Sequence, residues 1–226
     1  MLYEFAPYTY PSDAIHSVHL ETMTAKNFAI KTTEQEGSTV NVRVAEIIPA
    51  RVGTFEKIMP LTVKNGELHA DSENDVLKVA VFERHHNTGT VGYGFTKGFS
   101  IKNGALAQTV AHDAHNLLVV GSNDEDMAIA ANALIASGGG LVAVQNGKIL
   151  GQVALPIAGL MSDKPLEEMS AEVEKLEHAW VQMGSALPSP FMTMALIPLA
   201  CLPELRITNR GLVDCRTFQF VDLIVK

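Results

Sequence analysis

The fold is decided by residues 105–155, which read ALAQTVAHDAHNLLVVGSNDEDMAIAANALIASGGGLVAVQNGKILGQVAL. The segments ALAQTVAH and NLLVVGS predict buried strands, because each is apolar and bounded by glycine or polar residues. A helix is predicted over 123–137, with Ser122 and Glu125 as a capping box at its start and glycines at its end. The following segment, GGLVAVQNGKILGQVAL, predicts a hairpin that turns at Asn146-Gly147.

Short strands and a second helix are predicted on either side of this stretch. Between residues 27 and 84, β-branched residues alternate or cluster, and Asn65-Gly66 is typical of a hairpin turn. A helix is predicted over 166–183, since Pro165 suits its first position and Gly184 its end. Its apolar residues recur every three or four positions and predict a stripe that faces the core, formed by Leu166, Met169, Val173, Leu176, Trp180 and Met183.

These elements predict an α+β fold. Strands outnumber helices and come in hairpins rather than in regular βαβ units. We therefore expect a mixed, largely antiparallel sheet or sheets, packed with two main helices over about 123–137 and 166–183. Residues 1–25 are predicted to be an irregular lead-in, and residues 26–226 a single domain.

Composition excludes several classes of protein. Of the 226 residues, 47% are hydrophobic and 19% charged, which predicts a packed core and excludes disorder for most of the chain. A net charge of −8 argues against a nucleic-acid or anionic-membrane surface. No apolar run reaches the ~18 residues that a membrane span needs. Two cysteines, Cys201 and Cys215, provide no disulfide framework, so we expect a cytoplasmic protein.

The polar cluster His112-Asp113-Ala114-His115-Asn116 is the strongest candidate site. Apolar strands flank it on both sides, where two imidazoles, a carboxylate and an amide are costly to desolvate. These side chains could hydrogen-bond a polar heterocycle or take part in proton transfer. The alternative is a polar corner that satisfies its own turn backbone. Because the HxxH spacing fixes no third ligand, we expect no metal at this cluster.

Glu83 and Arg84 close one of the predicted strands. Neighbouring residues of a strand point to opposite faces, so the two side chains need partners elsewhere. A structural ion pair is expected for each of them.

Several motifs together resemble one family. ERHHNTG, GFTKGFSIKNGALAQTVAHDAHNLLVVGSNDEDM, GGGLVAVQNGK, LPIAGLMSDKP and PFMTMALIPLACLPELRITNRGLVD resemble, in this order, the C-terminal domain of bacterial adenine deaminase. The resemblance runs from about residue 7 to the end of the chain. It departs from the family's pattern at Ala114, where serine is usual, so no hydroxyl is expected to act within the HD-x-HN motif.

The resemblance implies a function that this chain cannot carry out alone. Adenine deaminases belong to the amidohydrolase superfamily, in which a metal-bearing barrel activates water to convert adenine into hypoxanthine and ammonia. The chain has no HxH metal-ligand pair and is too short to hold a barrel of at least ~200 residues as well. No catalytic residue and no metal ligand is therefore carried over. The isolated chain is expected to be inactive and to bind no metal or other cofactor itself.

The resemblance also implies partners. The expected partner is the catalytic barrel, in the same or a separate chain, which would bind adenine and a divalent metal, Mn or Fe. His112, Asp113, His115 and Asn116 are then expected at the substrate site or at the interface with the barrel. Self-association is left open. The alternative function is a stand-alone binding or regulatory domain that keeps the fold without the chemistry.

Overall fold

Thirteen strands and four α-helices make up the computed structural model, which describes residues 8–226. The helices are α1 (Ser12–Ile15), α2 (Asp124–Ser137), α3 (Leu166–Gln182) and α4 (Pro190–Ala195), and two 3₁₀ helices span Ala25–Phe28 and Ser72–Asn74. The strands are β1 (Ile30–Lys31), β2 (Thr39–Ile47), β3 (Thr54–Lys64), β4 (Glu67–Leu68), β5 (Val76–Phe82), β6 (Val91–Lys97), β7 (Ala105–Gln108), β8 (Leu117–Gly121), β9 (Gly140–Gln145), β10 (Lys148–Ala154), β11 (Leu205–Thr208), β12 (Gly211–Asp214) and β13 (Gln219–Val221).

The strands form one large and one small sheet. Ten of them are ordered β1-β4-β3-β2-β6-β5-β8-β7-β9-β10, and the small sheet is ordered β11-β12-β13. The contact between β2 and β6 is parallel, whereas the other pairings between the described strands are antiparallel. The predicted α+β class with a mixed, largely antiparallel sheet is therefore confirmed.

The two long helices lie on opposite faces of the large sheet. Ala105 belongs to the apolar cluster that holds Met127 and Leu134 of α2. Its neighbour Leu106 belongs to the cluster that holds Trp180 of α3. Successive side chains of a strand point to opposite faces, so β7 is buried on both, in agreement with its mostly apolar sequence.

Local turn chemistry agrees with the sequence. The hairpin between β3 and β4 turns at Asn65 and Gly66, whose φ angles are 57° and 71°. The hairpin between β9 and β10 turns at Asn146 and Gly147, with φ angles of 52° and 75°. Positive φ at both central residues is the conformation that an Asn-Gly pair favours, so both predicted hairpins are confirmed.

The predicted capping box at the start of α2 is wrong. Asn123 is the N-cap, and its Oδ1 accepts a hydrogen bond from the Asp126 N–H at 2.8 Å. Ser122 instead accepts a hydrogen bond from the Gly104 N–H at 2.9 Å. The helix bounds differ little from the prediction, because the side-chain cap moves by one residue only.

The apolar stripe of α3 is only half buried. Leu176, Trp180 and Met183 lie in the core, but Leu166 is 80% exposed and Val173 40% exposed. Gly151 of β10 approaches the helix closely at Leu176, where an added Cβ would lie 2.9 Å from the Leu176 Cα. The sheet thus supports the C-terminal half of α3, and the prediction of a fully core-facing stripe is wrong for the first half.

The predicted irregular lead-in, residues 1–25, falls partly outside the described residues, which begin at residue 8. Between residues 8 and 25, the short helix α1 is the regular element that interrupts it before the first 3₁₀ helix. None of the helices described in residues 8–226 is both long and apolar enough to span a bilayer.

Candidate functional site

The HDAHN loop, defined as residues 112–116, leads from β7 into β8. The His112 N–H donates to the Ala195 carbonyl of α4 at 2.9 Å, and the His115 N–H donates to the Ala111 carbonyl at 2.6 Å. Asn116 is buried, whereas Asp113 and Ala114 are exposed. The loop is therefore anchored at both ends and presents its middle to solvent.

Arg84 is the main anchor of the HDAHN loop. Its side chain is buried, and its guanidinium donates to the carbonyls of His115, Ser17 and Ala158. Its backbone N–H donates to Oδ1 of Asn116 at 3.4 Å. These contacts join the ERHHNTG, HDAHN and LPIAGLMSD motifs, which are far apart in the sequence.

Among residues 8–226, the guanidinium of Arg84 donates to carbonyl and hydroxyl oxygens, and the ion pair expected for it stays a prediction. A guanidinium can be buried without a carboxylate when each of its nitrogens donates to an oxygen, as the three nitrogens of Arg84 do. Burial lowers the pKa of Arg84 to about 10, although the neighbouring charge of Glu83 acts in the opposite direction. The side chain is thus still a cation at neutral pH.

The carboxylate of Glu83 stabilises the turn after β5. Its carboxylate accepts hydrogen bonds from the N–H groups of His85, His86 and Thr88 at 2.6, 3.1 and 3.2 Å. Burial alone would raise the pKa of Glu83, but these N–H groups and the Thr88 hydroxyl lower it to about 2. Its contact with His86, at 3.6 Å, is an ion pair only when His86 is protonated. The role of Glu83 is therefore mainly that of a backbone cap.

The two histidines of the loop contact each other. The His112 and His115 rings lie edge to face with their centroids 5.5 Å apart. Nδ1 of His115 is buried and has no hydrogen-bond partner among residues 8–226. Burial lowers the pKa of His115, and the nearby His112 and Arg84 lower it further. A neutral His115 is the form that can accept a proton or a hydrogen bond.

A cavity of about 430 Å³ opens beside the HDAHN loop. Asp113 and Asn116 line one side, together with Ala114. Residues 198–201 and the turn at 208–210 between β11 and β12 line the others. His112 and His115 are not among the lining residues, so the structure brings only part of the predicted cluster to the cavity wall.

Charged and aromatic groups line this cavity together with Asp113. Arg210 and Phe220 are also lining residues, and the Arg210 guanidinium lies 5.4 Å from the centroid of the Phe220 ring. The cavity thus combines an acid, a cation, an amide and an aromatic ring. Such a set can bind a polar, flat molecule or the polar surface of another protein segment.

The motifs that form these walls also identify the family. The model of the adenine deaminase C-terminal domain matches residues 51–219. The chain belongs to this family. It is 63% identical, over 98% of its length, to adenine deaminase from Clostridium botulinum (strain 657 / Type Ba4). Identity to adenine deaminase from Moorella thermoacetica is 51% over 99% of the chain, and to that from Dehalococcoides mccartyi strain BAV1 it is 37% over 93%.

The chain covers only part of the length of these relatives. The chain spans 37% of the Clostridium botulinum protein, 38% of the Moorella thermoacetica protein and 36% of the Dehalococcoides mccartyi protein. Most of the length of each relative therefore lies outside the region that the domain matches.

Sequence reasoning missed the residues of the domain's tail. Arg206 is buried and donates to the carbonyls of Leu196 and Val52, both at 2.8 Å, and of Leu202 at 2.9 Å. It supports the segment that leads to the cavity wall, as Arg84 supports the HDAHN loop. The segment LRITNRGLVD contains a strand–turn–strand pattern, which is the signal that could have placed Arg210 at a hairpin tip.

Potential metal ligands meet at a different place in the domain. Among residues 8–226, Glu67, His69 and Asp124 bring three such side chains together. The HDAHN loop contributes to no group of this kind within the same residues. The expectation that the loop itself binds no metal stays a prediction.

Proposed function

We propose that this chain is the C-terminal part of an adenine deaminase, whose complete form converts adenine and water into hypoxanthine and ammonia. The catalytic region would be supplied by sequence outside this chain, together with the divalent metal, Mn or Fe, that activates water. The chain alone lacks the HxH pair and contributes no catalytic metal ligand in this proposal.

The proposal rests on one observation, which is that the family motifs meet around the HDAHN loop. Arg84 ties the HDAHN loop to Ala158 of the LPIAGLMSD motif, and residues of the C-terminal motif line the adjacent cavity together with the loop. A polar loop held in place by a buried arginine is stable enough to serve as a binding surface. We propose that this face packs against the catalytic region and caps its substrate site.

Distinct roles follow for the residues of the loop. Asp113, exposed at the cavity, is suited to contact the catalytic region or the substrate. Neutral His115 is suited to accept a proton or to orient a neighbouring group. Asn116 is a positioning residue, because its side chain is engaged by the Arg84 N–H.

The protein is proposed to work in the cytoplasm. Both cysteines are free thiols, with Cys201 exposed and Cys215 buried. Free thiols fit a reducing compartment.

A chimera tests the proposed function. The matched segment of the Clostridium botulinum relative is replaced by this chain, and ammonia release from adenine is measured with Mn²⁺ or Fe²⁺ present. The chimera is expected to deaminate adenine, whereas the truncated relative and the isolated 226-residue chain are not. Turnover by the isolated chain that survives repurification would contradict the proposal. An inactive chimera that folds as well as the parent would favour a stand-alone binding or regulatory domain.

A further inference from the structure

We propose that Glu67, His69 and Asp124 form a zinc-binding site that joins the β3–β4 hairpin to the start of α2. One ligand atom of each side chain lies within 4.8 Å of the other two. Glu67 belongs to β4, His69 follows that strand directly, and Asp124 is the first residue of α2. All three residues are half-buried, which leaves an entry path for an ion.

Asp124 is held in place by a buried lysine. Nζ of Lys78 lies 2.8 Å from each carboxylate oxygen of Asp124 and also donates to the Phe28 carbonyl at 3.2 Å. A carboxylate oxygen has two lone pairs, so the hydrogen bonds from Lys78 leave acceptor capacity on Asp124. Hydrogen bonds of this kind commonly fix the carboxylates that bind metals.

His69 is oriented in the same manner. Its Nε2 lies 3.1 Å from the Lys64 carbonyl. Because a carbonyl can only accept, this hydrogen bond places the proton on Nε2 and leaves Nδ1 with a free lone pair in the neutral ring. A histidine that donates one N–H to a carbonyl and keeps the other nitrogen free is the usual form of a metal ligand.

The local charge favours a cation. With His69 neutral, Glu67 and Asp124 contribute two negative charges and Lys78 one positive charge, which leaves the group with one net negative charge. The nearby carboxylate of Glu36 is already engaged by the N–H groups of Asn65 and Gly66, both at 3.0 Å. A divalent ion would relieve the repulsion between Glu67 and Asp124 that Lys78 only partly offsets.

The donor set favours zinc over magnesium and calcium. Magnesium and calcium prefer oxygen ligands throughout, whereas one imidazole and two carboxylates suit Zn²⁺. Three protein ligands leave one tetrahedral position for water. The three ligand atoms lie within 4.8 Å of one another and would have to move closer together around a tetrahedral ion. Rotation of the side chains can achieve this.

The test is a zinc titration of the chelator-treated 226-residue chain against a competing indicator dye. One zinc per chain is expected, with affinity weakened at least tenfold in His69→Ala and in Asp124→Asn. Glu125→Gln changes the exposed neighbour of Asp124 and is the matched control, expected to bind like the original chain. Zinc should also raise the melting temperature of the original chain and of Glu125→Gln, but not of the two ligand variants.

Two further measurements keep the proposal open to contradiction. Asp124→Asn could fail to fold because Lys78 loses its charged partner, and Glu67→Gln then serves as the second carboxylate variant. X-ray absorption at the zinc edge is expected to show one imidazole and otherwise oxygen ligands. The proposal would be overturned if X-ray absorption showed two imidazole ligands. It would also be overturned if His115→Ala rather than His69→Ala abolished zinc binding, or if the original chain bound no stoichiometric zinc.

Discussion

The guanidinium of Arg84 lies so close to Gly159 that a Cβ added at residue 159 would come within 2.8 Å of Nη2. Gly159 has a φ of +71°, a conformation that side chains with a Cβ rarely adopt. Its carbonyl also accepts a hydrogen bond from the Thr109 hydroxyl at 2.6 Å. The absence of a side chain at Gly159 is therefore what lets Arg84 reach the Ala158 carbonyl and the HDAHN loop together.

Gly159→Ala should destabilise the domain through this contact. We expect the free energy of unfolding, measured by urea denaturation, to fall by about 3 kcal/mol from overpacking and backbone strain together. Gly37→Ala is the matched control, because Gly37 has a φ of +77° but an added Cβ would meet nothing within 4 Å. Strain alone should cost Gly37→Ala about 1 kcal/mol. Equal losses in the two variants would show that the approach of Arg84 to Gly159 does not matter.

Arg84→Lys should be far from conservative. A lysine ammonium cannot replace a planar guanidinium that serves the carbonyls of Ser17, His115 and Ala158. With buried carbonyls left unpaired, we expect a loss of about 3 kcal/mol in the free energy of unfolding. Arg51→Lys, at an exposed arginine, should stay within about 0.5 kcal/mol of the original chain. If Arg84→Lys lowered the free energy of unfolding no more than Arg51→Lys, Arg84 would not be an anchor of the HDAHN loop.

His115 should make stability depend on pH just below neutrality. Because burial lowers its pKa in the folded state, the unfolded chain binds the proton more readily. The contribution of His115 to the free energy of unfolding is therefore largest above its pKa in the unfolded chain, about 6.5. It decreases as the pH falls below that value. The measurement is the free energy of unfolding between about pH 7.5 and 5.5, a window above the range where Glu83 titrates.

His115→Gln should lose less stability over this range than the original chain. His112, Asp113, Arg84 and His85 are the charged or titratable groups that act on His115, and the variant keeps them all. Identical pH profiles for the two proteins would contradict a depressed pKa at His115.

Local chemistry made part of the fold predictable. Asn65-Gly66 and Asn146-Gly147 determine their turns by themselves, and the glycines after Ser137 end α2 wherever the rest of the chain lies. The N-cap was missed because Ser122 and Asn123 are both good caps, and only the tertiary contact of Ser122 with Gly104 separates them. The exposure of the first half of the α3 stripe also depends on tertiary structure. Periodicity reveals an apolar face, but not how far the sheet beneath the helix extends.

The sequence singles out the HDAHN loop as a candidate site, but not the contacts that hold it or the other residues that line the cavity. A dense polar cluster between apolar strands drew attention to the HDAHN loop from composition alone. Its anchor could not be predicted, because Arg84 meets Ala158 only after the chain has crossed the sheet several times. Arg210 and Phe220 reach the cavity through a separate small sheet, so no sequence spacing connects them with Asp113.

The central claim is that the HDAHN loop acts on the reaction of the complete enzyme. It is tested most directly by the steady-state kinetics of adenine deamination in the chimera that carries this chain, with and without His115→Ala. His178→Ala, at an exposed histidine of α3, is the matched control.

The account predicts that His115→Ala lowers kcat/KM at least tenfold, about 1.4 kcal/mol of transition-state stabilisation, while the melting temperature stays nearly unchanged. His178→Ala should leave both quantities as they are. Unaltered kinetics in His115→Ala, or a loss of activity that only follows a fall in melting temperature, would contradict the account.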